Sequence, residues 1–165
     1  MKFGEWPNSL ITKRYPEKDT MDYTIRRTTD EDLPRILELV HEFHAEGLDK
    51  YGLFCDDDIA NKIMPKMVET SLVMMAEDKV VGVIAGFVTN HIVSNKRLFQ
   101  EVVWFISKKY RKYGARLLKR METFCKELEC EHMVMVNMGG RSEAFERFYT
   151  KNGYKLLEVQ FIKQL

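Results

Sequence analysis

The chain is sparing with the residues that staple or span: 3 of its 165 residues are cysteine, 4 are proline and 2 are tryptophan. Cys55, Cys125 and Cys130 are odd in number and form no C-x-x-C pair, so no disulfide framework is written here. With no secretory leader in view, the expected location is the reducing cytoplasm. The apolar runs are short and sit inside alternating or helical patterns, far below the roughly 20 residues that cross a bilayer. Charge of one sign is also missing overall: 26 Lys and Arg face 25 Asp and Glu, a formal net charge of +1. Such balance argues against a disordered chain or one that coats nucleic acid. What remains, 45% hydrophobic and 12% aromatic, is the composition of one globular domain, long enough to bury a core without disulfides or a structural metal.

The balance breaks in one place. Residues 108–120 hold seven Lys or Arg and no Asp or Glu. They follow an apolar strand-like run and lead through Gly114 into an amphipathic helix. The amides at a helix N-terminus attract anions through aligned dipoles and directed hydrogen bonds, so this turn suits a phosphate.

The surrounding pattern is mixed. Residues 1–20 carry Gly4, Pro7 and Pro16 without a sustained period and read as an extension, with Trp6, Leu10 and Ile11 available to anchor it; the domain then runs over 21–165. Residues 23–27 read as a strand. Thr28 and Thr29 precede Glu31 and Asp32 in capping-box spacing, and Leu33, Ile36, Leu37, Val40 and Phe43 give a helix ending near Gly47. A second helix is expected over 57–69, interrupted by Pro65. Residues 71–76 and 80–89 form a hairpin around Glu77-Asp78-Lys79, with Gly82 and Gly86 marking a bulge or a close approach. Residues 98–107 make the next strand. Leu117, Leu118, Met121, Phe124, Cys125 and Leu128 share one helical face, 133–138 reads as a buried strand, and Gly139-Gly140 breaks it. Ser142 caps a short helix that Asn152-Gly153 ends, and 154–162 alternates as a last strand with Leu157, Val159 and Phe161 on one face. The expected order is β-α-α-β-β-β-α-β-α-β, an α/β domain.

That order, with a basic glycine turn between the fourth strand and the third helix, resembles the GNAT N-acetyltransferase superfamily over about residues 22–165. The resemblance implies a mixed, mostly antiparallel central sheet flanked by helices. The family's acetyl-CoA motif, Q/R-x-x-G-x-G/A, corresponds here to Lys109-Tyr110-Arg111-Lys112-Tyr113-Gly114. Its last glycine fits; Lys109 stands for the first Gln or Arg and Lys112 for the first glycine. Phe99-Gln100-Glu101-Val102-Val103 followed by Tyr113-Gly114-Ala115-Arg116-Leu117-Leu118 is similar to the histone acetyltransferase branch. Ala144-Phe145-Glu146-Arg147-Phe148-Tyr149-Thr150-Lys151-Asn152-Gly153-Tyr154 resembles the family's helix-turn signature, and the ending from Gly153 is similar to short members encoded by bacteriophages.

The resemblance implies acetyl-CoA as co-substrate, no metal, and transfer to a primary amine of a small molecule or protein in a ternary complex, by a monomer or homodimer without membrane contact. It places Phe105, Ile106, Ser107, Lys109, Arg111, Lys112, Tyr113, Gly114, Ala115 and Arg116 at the cofactor. It makes Glu101 the base and Tyr149 the acid that protonates departing CoA. Strand amides near Phe105 and Ile106 would then hold the thioester oxygen. A base is useful because a free alkylamine has a pKa of about 10, and apolar neighbours would raise Glu101 towards a useful range. The plainer alternatives are an exposed polar strand residue for Glu101 and core packing for Tyr149. Asp56-Asp57-Asp58 reads as helix capping ahead of amine attraction, and His41 and His44 as partly exposed helix residues. His91 sits in a strand-connecting loop. A different class of function stays open: a fold without catalysis whose 108–120 segment binds nucleic-acid phosphate, with steep salt dependence.

Overall fold

The structure, a computed structural model, describes residues 22–137 and 143–165. The N-terminal extension, Met21, Gly139-Gly140 and the Ser142 cap lie outside these described residues.

Among the described residues five strands lie in sequence order in one sheet: β1 (Tyr23–Arg27), β2 (Ser71–Ala76), β3 (Lys79–Asn90), β4 (Arg97–Ile106) and β5 (His132–Val134). The first three junctions are antiparallel and the β4–β5 junction is parallel. Four helices accompany them: α1 (Leu33–Gly47), α2 (Asp57–Ile63), α3 (Gly114–Glu127) and α4 (Glu143–Lys151). The result is the mixed, mostly antiparallel sheet flanked by helices that the resemblance implied.

Local chemistry explains the boundaries. The Asp32 carboxylate accepts the Thr29 amide at 2.9 Å, closing the predicted capping box ahead of α1. Arg26 holds the same carboxylate with two bonds of 2.7 Å. Burial would raise the Asp32 pKa, but the Arg26 and Thr29 bonds outweigh it and hold the group below its ordinary value. Pro65 ends the second helix: α2 stops at Ile63, and a 3-10 turn covers Met64–Thr70. Glu77 and Asp78 both adopt positive φ, the geometry of a two-residue hairpin turn that matches strand twist.

Each sheet face has its own core. Ile25, Leu72, Met74, Ile84, Phe99 and Ile106 pack with Leu117, Leu118, Met121 and Phe124 of α3. On the other face Val73, Val83, Ala85, Val103 and Phe105 pack with Ile36, Leu39 and Val40 of α1 and with Met64 and Met67. The strand β4 serves both cores by changing phase. Ala85 pairs Val103 and Gly86 pairs Glu101, so Val102 is an extra, unpaired residue. This bulge keeps Phe99 and Glu101 on the α3 face, then moves Val103 and Phe105 to the α1 face. Gly86 is required there, because a Cβ at that position would lie 2.1 Å from the Gln100 carbonyl oxygen.

The last element departs from expectation. Residues 154–162 form no strand; Leu157 and Val159 are exposed and Phe161 is 95% exposed. A period of two specifies an apolar face but supplies no partner, and the neighbouring edge strand β5 is only three residues long. The predicted 133–138 strand is shortened for a related reason, which lies in the site.

Candidate active site

The β4–β5 ladder ends at Gln100–Val134. Beyond it the Glu101 carboxylate takes over the role of a ladder partner, accepting the Val136 amide at 2.8 Å. The strands therefore part at Glu101, and no strand covers β4 from there to Ile106 among the described residues. Which groups face the opening follows from the antiparallel ladder on the other edge. Ser107 donates its amide to the Val81 carbonyl at 2.9 Å. Since hydrogen-bonded pairs alternate, the amide of Phe105 also turns towards β3, while the amides of Trp104 and Ile106 turn to the open edge. Of the two strand amides proposed for the thioester oxygen, Ile106 faces the opening and Phe105 does not; Trp104 is the other donor.

Glu101 is 4% exposed. Desolvation raises its pKa to about 7, only partly opposed by the Val136 bond. The expected burial is met, and the alternative of an exposed polar residue is not. Tyr149, on α4, is half-buried with its ring 6.4 Å from Trp104 and 5.4 Å from Tyr154. Burial first, and the Glu101 charge second, raise its pKa further above the ordinary phenol value, so it remains protonated near neutral pH.

Between β4 and the helices lies a cleft of about 490 Å³. Trp104, Phe105 and Ile106 form its floor, Gly114 and Ala115 of α3 and Phe145 and Phe148 of α4 one side, and Phe43, Glu46 and Lys50 the other. Among the described residues the Trp104 indole N–H has no hydrogen-bond partner, and neither has the Tyr113 hydroxyl. A Cβ at Gly114 would meet Ile106 at 3.5 Å and Trp104 at 3.6 Å, ordinary contacts, and its φ of -55° is helical. This glycine keeps room in the cleft; its backbone conformation suits any residue.

The basic turn is a 3-10 helix over Lys108–Tyr113 running into α3. Its first internal bond is Tyr110 amide to Ser107 carbonyl, which leaves the Lys108 and Lys109 amides without an acceptor inside the turn, whereas the Gly114 amide donates to Arg111. The side chains are largely engaged. Lys109 bonds Glu77 at 2.6 Å, Arg111 bonds Glu46 at 2.6 and 2.8 Å, and Arg120 bonds Glu127 at 3.0 Å. Lys112 lies over the ring of buried Tyr113, and Arg116 bonds the Tyr23 hydroxyl over the Tyr23 and Tyr113 rings. Sequence reasoning passed over Phe148 and Glu46 as cleft residues, and read Trp104, with Phe105, as a core or pantetheine contact. The bulge at Val102 sets Trp104 and Ile106 on the face of Phe99 and Glu101, where unbroken alternation from Glu101 would have put them on the other face.

The remaining candidates shape loops. Asp56 accepts the Ile59 amide at 3.0 Å as the N-cap of α2, while Asp57 takes the His41 ring at 2.7 Å and His44 bonds the Leu53 carbonyl at 2.9 Å. His91 receives the Ser94 amide at 3.2 Å inside the β3–β4 turn. No group of three or more His, Cys, Asp or Glu among the described residues is arranged to hold a metal, and none of their helices is long and apolar enough to cross a membrane.

Parted strands and a buried carboxyl thus accompany a basic turn at the start of α3. The sequence model of the acetyltransferase (GNAT) family matches residues 33–154, from the start of α1 past the end of α4. The chain belongs to the GNAT acetyltransferase family. This GNAT chain shares its fold with an aminoglycoside acetyltransferase, meta-AAC0020, from an uncultured soil metagenomic sample: TM-score 0.65, 19% identity, 87% of this chain and 96% of that one. AAC(6')-Iy, solved with the bisubstrate analog CoA-S-monomethyl-acetylneamine, aligns with TM-score 0.68 at 13% identity over 87% and 98%. The ribosomal-protein-alanine N-acetyltransferase of Brucella melitensis biovar Abortus 2308 aligns with TM-score 0.66 at 15% identity over 87% and 99%. No curated protein matches the sequence.

Proposed function

We propose that this GNAT chain, through a domain spanning residues 21–165, moves an acetyl group from acetyl-CoA to a primary amine by direct transfer in a ternary complex. The observation that carries the reading is the Glu101 carboxyl, buried where β4 and β5 part, with a pKa raised to about 7 by desolvation. A carboxyl tuned to neutral pH can take a proton from an ammonium group at working pH, as an ordinary one cannot.

The cleft fits the co-substrate's arm. The open-edge backbone groups of Trp104 offer an extended amide chain the hydrogen bonds that a strand partner would give, and the Trp104 indole N–H, without a partner among the described residues, lies in the same wall. Gly114 leaves room for that arm beside α3. The Lys108 and Lys109 amides, which have no acceptor inside the turn, would bind phosphate, with Lys112 and Arg116 adding positive charge. Acetyl-CoA supplies an activated thioester. Glu101 accepts the amine proton, the amine nitrogen bonds to the acetyl carbon as the carbon–sulfur bond breaks, and Tyr149 donates its proton to the departing sulfur. The Ile106 amide stabilises charge on the acetyl oxygen.

The solved relatives named for aminoglycoside acetylation and for ribosomal-protein-alanine N-acetylation support an amine acceptor. No comparison supports the nucleic-acid alternative, and Lys109, Arg111 and Arg120 of the basic segment each pair with a carboxylate, which reduces the charge it offers. A panel of amines, assayed for release of free CoA thiol alongside direct acetyl-CoA binding, tests the proposal. Saturable binding with amine-dependent thiol release is expected. No binding at millimolar acetyl-CoA would refute it.

A further inference from the structure

Arg111 occupies a position assigned above, by resemblance, to cofactor binding, yet its guanidinium is committed elsewhere. Nε donates to the Ile106 carbonyl at 2.9 Å, Nη2 donates to both carboxylate oxygens of Glu46 at 2.8 and 2.6 Å, and the group lies 5.4 Å from the centre of the Phe105 ring. Glu46 is in the last turn of α1, 65 residues away in sequence. The two side chains therefore tie opposite walls of the cleft together, the β4 floor and the end of α1, and both line it. Phe43, one turn before Glu46, meets the edge of Phe105 at 6.3 Å and makes the apolar half of the same junction.

We infer that Arg111 is a positioning residue that fixes the end of α1 against β4 through Glu46, setting the acceptor-side wall of the cleft, and is not a phosphate ligand. The inference rests on the acetyltransferase reading. Its physical content is twofold. By taking the Ile106 carbonyl, Arg111 leaves the Ile106 amide as the free group of that residue on the open edge. By holding Glu46, it anchors the start of the segment from 48 to 56, which runs from the α1 end to α2 and contributes Lys50 to the cleft. Arginine suits the task because a planar fork can serve a backbone carbonyl and a carboxylate at once; a lysine offers one point charge on a flexible stem.

The test compares Glu46→Gln, Arg111→Gln, Arg111→Lys and the double Gln variant, measuring acetyl-CoA dissociation constant, kcat and amine KM, and amide hydrogen exchange over 44–52. Each single variant should keep the acetyl-CoA dissociation constant within about twofold and lose on the order of tenfold in kcat/KM for the amine, as expected when a reacting group is displaced. The double variant should be no worse than Arg111→Gln alone, because the contact with Glu46 is already lost there. Arg111→Lys should fail to restore activity, and exchange at the end of α1 should quicken in every variant. Weakened acetyl-CoA binding in Arg111→Gln with Glu46→Gln unaffected would overturn the inference and make Arg111 a phosphate ligand. Unchanged kinetics and exchange in both would reduce the pair to a surface contact. A wild-type protein without turnover would refute the acetyltransferase reading instead, and unchanged exchange would then separately refute the tie between the walls.

Discussion

Replacing Glu101 by Gln should make the protein more stable at alkaline pH while removing the base. The carboxyl is held with a pKa of about 7 against an unperturbed 4.5. The native state therefore binds more protons than the unfolded chain across that window, and stability falls as pH rises from 4.5 through 7. Keeping the carboxylate charged in the fold at pH 8 costs about 3 kcal/mol, from about 1.4 kcal/mol per tenfold change in proton affinity. Gln mimics the neutral acid, and its carbonyl oxygen can still accept the Val136 amide. At pH 8 the variant should exceed wild type by about 3 kcal/mol, or about 6–12 °C in Tm for a domain of this size. Near pH 4.5 the two should nearly coincide. Paired denaturant or thermal melts at pH 5 and pH 8 measure the difference, in which the titration of every other group cancels. A difference that does not change with pH, or a variant less stable at pH 8, would refute the claim that Glu101 is desolvated by the fold.

Tyr149→Phe should lower kcat by about 10²-fold, the range for one lost general acid, with acetyl-CoA affinity unchanged; weaker binding measured by titration would make Tyr149 a contact residue. Gly86→Ala should destabilise by at least about 2 kcal/mol in a chemical melt, since the added carbon meets the Gln100 carbonyl at 2.1 Å and the bulge must shift. Gly114→Ala, with contacts of 3.5 and 3.6 Å, should melt close to wild type, while Gly114→Leu should fold and lose acetyl-CoA binding by crowding the cleft.

Much of this architecture was legible because short-range chemistry writes it. The Thr29–Asp32 capping box, the Pro65 break, the Glu77-Asp78 hairpin and the bulge at Gly86 each follow from a few adjacent residues. What was not legible depends on distant partners. The basic run at 108–120 looked unopposed in sequence, yet Glu77 and Glu46 reach Lys109 and Arg111 from 32 and 65 residues away. The alternation of 154–162 described a strand face without a strand to pair with. At the site, the burial of Glu101 was readable from its apolar neighbours, but the choice of Ile106 over Phe105 as an outward amide required the ladder phase fixed by Ser107 and Val81.

The central claim is that the buried Glu101 carboxyl is the base for amine acetylation, and the pH profile of kcat/KM tests it most directly. Wild type should gain activity with rising pH through an apparent pKa of about 7, and Glu101→Gln should lose that limb, leaving a rate that climbs only as the amine itself deprotonates. The same limb persisting in Glu101→Gln would contradict the account.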